Sequence, residues 1–237
     1  MSESGRPLVI AHRGASADAP ENTAVAFRLA AEQGADWVEL DVRASADGHL
    51  IINHDAWYRD GRTVWSTPWQ EVTDGTLDLD GALDACAGMG INVEIKNSPG
   101  DLADGPGGPA VVDDVVAALH RLDAAVRERI LVSSFDLPTI TRVKELDPAL
   151  LTGYLVFDLA AEPDAIDIAA DGGHDAFHPW DPFVTEELTA ACHAAGLRLN
   201  SWTVNDAERW SQLVAWGVDG IITDTPGRLV TALRRTG

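Results

Sequence analysis

Residues 37–42 read Trp-Val-Glu-Leu-Asp-Val. Apolar and β-branched residues dominate this stretch, as they do in strands that are buried on both faces of a parallel sheet. Side chains alternate between the two faces of a strand, so Glu39 and Asp41 lie on the same face. Two carboxylates on a buried face are costly unless they are paired or bind a metal ion. The stretch therefore predicts a buried parallel strand with a candidate functional site on the face that carries Glu39 and Asp41.

Similar apolar runs alternate with alanine-rich helical patterns along the whole chain. The candidate strands are Leu8–His12, Trp37–Val42, Ile91–Lys96, Ile130–Ser134, Leu151–Phe157, Ala176–Pro179, Arg198–Thr203 and Gly220–Thr223. The helical patterns cover residues 22–34, 79–88, 109–126, 138–147, 160–171, 184–196, 206–216 and 226–235. This alternation predicts an α/β fold, a closed (β/α)8 TIM barrel that forms a single domain over residues 1–237. An open doubly wound sheet is the alternative, although the GxGxxG sequence of dinucleotide-binding folds is missing after the first strand.

The chain is strongly acidic, with 38 Asp and Glu against 17 Lys and Arg and a formal net charge of −21 at pH 7. This charge opposes binding to nucleic acid and to anionic lipid surfaces. No run reaches the roughly 18 apolar residues of a membrane span. The first seven residues lack the features of a secretory signal, so we expect a cytoplasmic protein without a stable membrane anchor.

The third predicted strand, Ile91–Lys96, also carries charged residues on one face, because Glu94 and Lys96 are two positions apart. The carboxyl ends of barrel strands meet at one mouth, so Glu94 is expected beside Glu39 and Asp41. Three carboxylates suit one hard divalent cation, Mg²⁺ or Ca²⁺, whereas zinc usually binds more His or Cys. The alternative is a set of ion pairs that only stabilise the barrel.

Two histidines are placed to work beside such a cation. His12 ends the first strand and is followed by Arg13, and His54 follows a short apolar run after the second strand. Two histidines can divide proton transfer to and from a reacting group, while Arg13 and Lys96 can offset the charge of a phosphate. The combination indicates metal-assisted phosphoester chemistry. His178, on the sixth strand, could either reach the mouth or be packed.

Taken together, these residues resemble the glycerophosphodiester phosphodiesterase family. The matching segments are His12-Arg13-Gly14, Pro20-Glu21-Asn22-Thr23, Glu39-x-Asp41, Asp47-Gly48, His54-Asp55, Glu94-x-Lys96, Ser134-Phe135, Trp202-Thr203-Val204-Asn205 and Gly217-Val218-Asp219-Gly220-Ile221-Ile222-Thr223-Asp224-x-Pro226. Each motif is short, but the ordered set is specific and covers nearly the whole chain. The resemblance implies a (β/α)8 barrel that hydrolyses a small-molecule substrate, a glycerophosphodiester, to an alcohol and sn-glycerol 3-phosphate.

The resemblance also implies roles for individual residues. The matching positions are Glu39, Asp41 and Glu94 for the metal ligands, His12 and His54 for the acid and base, Arg13 and Lys96 for phosphate contacts, and Trp202 for a substrate-side aromatic residue. In the mechanism proposed for the family, the glycerol 2-hydroxyl attacks phosphorus and water then opens the cyclic phosphate.

The segment after His54 departs from the family pattern. Relatives carry a longer stretch with a Leu-x-Arg-Thr-Thr-like sequence, whereas residues 55–62 here read Asp-Ala-Trp-Tyr-Arg-Asp-Gly-Arg. This segment commonly shapes the alcohol side of the site, so the leaving group stays open. A lysophospholipase D and a non-catalytic barrel that binds a phosphodiester are the alternatives, and the sequence indicates no oligomeric state.

Overall fold

A computed structural model describes residues 5–58, 60–72, 75–97 and 109–236. The strands are β1 Leu8–His12, β2 Trp37–Ala44, β3 Leu50–Ile52, β4 Gly90–Ile95, β5 Ile130–Ser134, β6 Leu151–Val156, β7 Ala176–Pro179, β8 Arg198–Ser201 and β9 Gly220–Thr223. The α-helices are α1 Ala24–Glu32, α2 Leu79–Ala85, α3 Pro109–His120, α4 Ala124–Arg127, α5 Leu137–Leu146, α6 Ala165–Asp171, α7 Glu186–Ala194, α8 Ala207–Ala215 and α9 Pro226–Thr236.

Eight of the strands form a closed parallel barrel. The ring runs in the order β1, β2, β4, β5, β6, β7, β8 and β9, and β1 pairs with both β2 and β9 to close it. The remaining strand, β3, pairs antiparallel with the end of β2 and lies outside the ring. The predicted (β/α)8 TIM barrel is confirmed, and the open doubly wound sheet is wrong.

Alternate side chains of each strand face the helices or the barrel interior. On β2, Val38, Leu40 and Val42 are buried in one apolar cluster with Phe27 and Ala30 of α1. Glu39 and Asp41 therefore point to the opposite face, into the barrel. Among the described residues, no helix is long and apolar enough to cross a membrane.

One helix prediction was wrong. The pattern over residues 109–126 is not one helix, because Asp123 has an extended backbone (ψ 146°) and starts the separate helix α4. The N–H groups of Arg121 and Leu122 donate to carbonyls three residues back, which is the tight turn that ends α3. The alanine-rich composition is the same on both sides of this break, so the helical pattern concealed it.

His178 lies inside the barrel and does not reach the mouth. It is 1% exposed, and its Nε2 accepts a hydrogen bond of 2.9 Å from the side-chain amide of Asn200. A Cβ atom at Gly153 would lie only 2.8 Å from that nitrogen, so this glycine makes room for the imidazole. Burial lowers the pKa of His178 to about 3, which keeps the ring neutral. His178 is a packing residue of the barrel interior.

Gly90 makes room for Trp37 in the same way, and we expect Gly90→Ala to destabilise the barrel. A Cβ atom at position 90 would lie 2.2 Å from the Trp37 ring. Overpacking of this kind costs about 1–3 kcal/mol, measurable as a lower free energy of unfolding in urea. In a Trp37→Leu background the same substitution should cost less. An equal cost in both backgrounds would show that the indole is not the reason.

Candidate active site

Three buried carboxylates meet at the mouth of the barrel. One oxygen each from Glu39, Asp41 and Glu94 lies within 4.8 Å of the others. The strand register produces this cluster, since Asp41 and Glu94 are Cα partners on β2 and β4, and Glu39 is the partner of His12 on β1. The structure thus brings together the acidic residues that the strand periodicity selected.

Two positively charged side chains, Lys96 and Arg13, contact Asp41, the most deeply buried of these carboxylates. Lys96 Nζ is 3.0 Å from Asp41 Oδ1 and also contacts Glu94, and Arg13 Nε is 3.2 Å from Asp41 Oδ2. The side-chain amide of Asn22 donates to Asp41 Oδ2 at 2.7 Å. Asp41 is fully buried beneath these partners. It therefore holds the side chains of Lys96 and Arg13 in place at the site.

The three carboxylates differ in acidity. Burial raises the pKa of Glu39 to about 8, and the charges of Asp41 and Glu94 add to this effect. Burial also raises the pKa of Glu94, partly opposed by the charge of Lys96. At Asp41 burial is outweighed by the charges of Lys96 and Arg13, and its pKa is lowered.

The acidic cluster fits a divalent cation. Oε1 of Glu39 has no hydrogen-bond partner in the part of the chain that the structure describes. Three carboxylates this close repel one another, and a bound positive charge would relieve that repulsion. Their hard oxygen donors match the preferences of Mg²⁺ and Ca²⁺.

His12 is held in one orientation by a residue from the far end of the chain. Its Nδ1 lies 2.7 Å from Oδ1 of Asp224, which follows β9. Asp224 is held in turn by the hydroxyl of Ser16 at 3.0 Å and by the amide of Asn205 at 2.6 Å. Burial opposes protonation of His12, but the bond to Asp224 and the charge of Glu39 outweigh it, so the pKa of His12 is raised. Nε2 is the ring nitrogen left for proton transfer.

His54 is fixed through its ring and its backbone. Its Nδ1 lies 2.8 Å from Oδ1 of Asp55, and its carbonyl oxygen accepts from the Arg43 guanidinium at 2.6 and 2.9 Å. The imidazole is more accessible than that of His12, with 36% of the His54 side chain exposed against 20%. The two histidines therefore line one site with different exposure, His12 partly buried and His54 more open to solvent.

A cavity of about 110 Å³ joins these groups. Its lining residues are His12, Arg13, Glu39, His54, Asn92, Glu94, Lys96, Phe135, Leu155, Trp202 and Ile222. Trp202 forms part of the wall, with its indole N–H donating to the His178 carbonyl at 2.8 Å and its ring edge-on to Phe135 at 5.4 Å. Of the predicted site residues only Asp41 is absent from this lining, because it lies behind Lys96 and Arg13.

A larger groove, of about 650 Å³, opens on the other side of His54. It lies between the segment around residues 20–25 and the segment from residue 52 to residue 58. Two apolar side chains on its wall are largely exposed, Val25 at 62% and Trp57 at 58%. The groove is thus built partly from the segment that departs from the family pattern. The sequence from Asn97 to Pro109 is rich in Gly, Pro and Asp and predicts a long loop, but it lies almost entirely outside the described residues.

Several residues of the site were not predicted as functional, among them Asp224, Asn22, Arg43 and Asn92. Asp224 and Asn22 lie within the motifs that carried the resemblance, which was the available signal for them. Asn22 has a positive φ of 57°, an uncommon conformation that turns its amide towards Asp41. Arg43 and Asn92 are buried polar residues on strands, and that polarity was the signal that could have found them.

Residues 12–228 match the profile of the Glycerophosphoryl diester phosphodiesterase family. The chain is 33% identical to a glycerophosphodiester phosphodiesterase of Caldanaerobacter subterraneus subsp. tengcongensis, covering 98% of this chain and 100% of the relative. An Oleispira antarctica phosphodiesterase, solved in complex with the product sn-glycerol-3-phosphate, has a TM-score of 0.85 and 28% identity, with 98% of each chain covered. A Thermotoga maritima glycerophosphodiester phosphodiesterase has a TM-score of 0.79 and 26% identity, covering 95% of this chain and 97% of its own.

Proposed function

Since the chain belongs to the glycerophosphoryl diester phosphodiesterase family and is an enzyme of that class, we propose that it releases sn-glycerol 3-phosphate from glycerophosphodiesters with one divalent cation and two histidines. The observation that carries the proposal is the carboxylate cluster Glu39, Asp41 and Glu94, which lies in one site with His12 and His54. Membership of an enzyme family removes the non-catalytic alternative. A cytoplasmic location, a single domain over residues 1–237, and the absence of nucleic-acid and membrane partners stay predictions.

Glu39, Asp41 and Glu94 would hold the cation, Mg²⁺ or Ca²⁺. When bound, such an ion polarises the phosphoryl oxygens and offsets the charge that develops on them. Arg13 and Lys96 line the same cavity and add positive charge for the phosphate. This local charge is needed because the chain as a whole carries −21.

The two histidines would move protons in opposite directions. The oxygen of the glycerol 2-hydroxyl bonds to phosphorus and passes its proton to His12, whose Nδ1 is fixed by Asp224. The bond from phosphorus to the alcohol oxygen breaks, and that oxygen takes a proton from His54. His54 is assigned to the leaving alcohol because it borders the larger groove as well as the cavity. Water then opens the cyclic phosphate, with the two roles reversed.

A second candidate is a lysophospholipase D, which cleaves lysophospholipids that keep one acyl chain. The observation in its favour is the groove of about 650 Å³ beside His54, with the exposed side chains of Val25 and Trp57 on its wall. Against it, Glu21 and Asp55 line the same groove, and acidic walls suit a polar alcohol better than an acyl chain.

A coupled assay for released glycerol 3-phosphate tests the proposal. We expect release from glycerophosphocholine and glycerophosphoethanolamine when Mg²⁺ or Ca²⁺ is supplied, and much slower choline release from a lysophosphatidylcholine. Faster cleavage of the lysophospholipid than of glycerophosphocholine would favour the second candidate. If none of the three substrates is cleaved with either ion, the proposed function is wrong.

A further inference from the structure

Asn92 is a buried amide that the mechanism above does not use. It lies on β4 with its Cα paired to Glu39 of β2, and it is two residues from Glu94 on the same face. Asn92 is among the residues that line the cavity with both histidines, and it is only 2% exposed. Asn92 therefore belongs to the inner wall of the site.

Neither the amide nitrogen nor the amide oxygen of Asn92 has a hydrogen-bond partner within residues 5–58, 60–72, 75–97 and 109–236. A buried amide without partners destabilises a folded protein, and such groups are rare in native structures. Asn200, another buried asparagine of the barrel, differs because its amide donates to His178. The polar atoms of Asn92 are thus buried without a partner in the described chain, in a residue that lines a cavity.

The surroundings indicate what kind of ligand the amide would meet. An amide offers one acceptor and one donating group, which is the complement of a hydroxyl group. The charged groups of the cavity are suited to the phosphate and the cation, whereas Leu155 and Ile222 are apolar parts of its wall. A short carbon chain with hydroxyl groups, the glycerol part of the substrate, fits a wall that combines these residues with Asn92.

We propose that Asn92 binds a hydroxyl group of the glycerol moiety and thereby selects glycerol phosphate esters over esters of alcohols without that hydroxyl. This inference rests on the proposed function, and it adds a specificity-determining residue to it. A site that hydrogen-bonds a hydroxyl discriminates against the analogue that lacks it, because the buried polar atoms of the site are then left unpaired.

Binding of two ligands tests the proposal by calorimetry, with Mg²⁺ or Ca²⁺ present. The ligands are sn-glycerol 3-phosphate and n-propyl phosphate, which keeps the phosphate and the carbon chain but has no free hydroxyl. We expect the unaltered protein to prefer glycerol 3-phosphate by roughly tenfold or more. In Asn92→Leu this preference should fall towards one, while the affinity for propyl phosphate stays within about twofold.

Stability separates this role from a structural one. Because the Asn92 amide has no partner in the described protein, Asn92→Leu should have a Tm equal to or above that of the unaltered chain. Asn200→Ala is the matched control: it removes a bonded amide, so it should lower Tm and keep the ligand preference. Asn92→Ala provides a second variant should leucine not be accommodated.

Two outcomes would overturn the inference. An unchanged preference in both Asn92 variants would show that no glycerol hydroxyl is bound there. Equal loss of affinity for both ligands would assign Asn92 to the phosphate or the cation. Either result leaves the proposed function standing, provided that the unaltered protein still releases glycerol 3-phosphate in the coupled assay.

Discussion

Replacing either His12 or His54 by alanine is expected to lower kcat by roughly 100- to 10,000-fold, the range associated with loss of a general acid or base. Each ring is held at Nδ1 by a carboxylate, Asp224 for His12 and Asp55 for His54. This arrangement leaves Nε2 of each ring for the substrate. The two losses should not add in a double variant, because both steps of the reaction need both groups.

The fold should survive both substitutions. Both side chains line an open cavity, and neither belongs to an apolar cluster of the core. His120→Ala is the matched control, since it also removes a histidine paired with an aspartate, Asp147, but on the exposed outside of the barrel. Turnover of glycerophosphocholine and the circular dichroism spectrum should be measured for all three variants. Near-normal kcat in His12→Ala and His54→Ala would contradict the two-histidine scheme.

The barrel strands could be predicted from the sequence because each is a short run of buried residues between helical patterns. The predicted limits agree with the structure at β1, β5, β7 and β9. Helix limits were less accessible, as the break at Asp123 shows, because an alanine-rich pattern has the same period on both sides of a turn. The short antiparallel strand β3 was visible only as an extra apolar run.

The active site was predictable where it depends on strand periodicity. Alternation of side chains places Glu39 and Asp41 on one face, and the barrel register then adds Glu94. Periodicity could not show that Lys96 and Arg13 separate Asp41 from the cavity, because this depends on how side chains pack across strands. Nor could it pair His12 with Asp224, since the two are separated by 212 positions and meet only when β9 closes the ring on β1.

Removal of divalent ions is expected to abolish hydrolysis, and addition of Mg²⁺ or Ca²⁺ to a chelator-treated sample should restore it. The carboxylates Glu39, Asp41 and Glu94 lie too close together to be ionised at once without added positive charge. Lys96 and Arg13 supply such charge mainly to Asp41. The measurement is the rate of glycerol 3-phosphate release before chelation, after it, and after each ion is returned. Undiminished turnover in a metal-free sample would remove the three carboxylates from the metal role.

The same cation should stabilise the fold, because a ligand that binds only the native state adds about 2.7 kcal/mol at one hundred times its Kd. A rise in Tm with added Mg²⁺ or Ca²⁺ therefore reports binding without any need for turnover. Glu39→Gln is the informative variant, since Asp41→Asn would also remove a carboxylate that both Lys96 and Arg13 contact. It should lose most of the Tm rise, whereas Glu145→Gln, an exposed partner of Arg142, should keep it. An equal rise in both variants would place the stabilising ion elsewhere on this acidic protein.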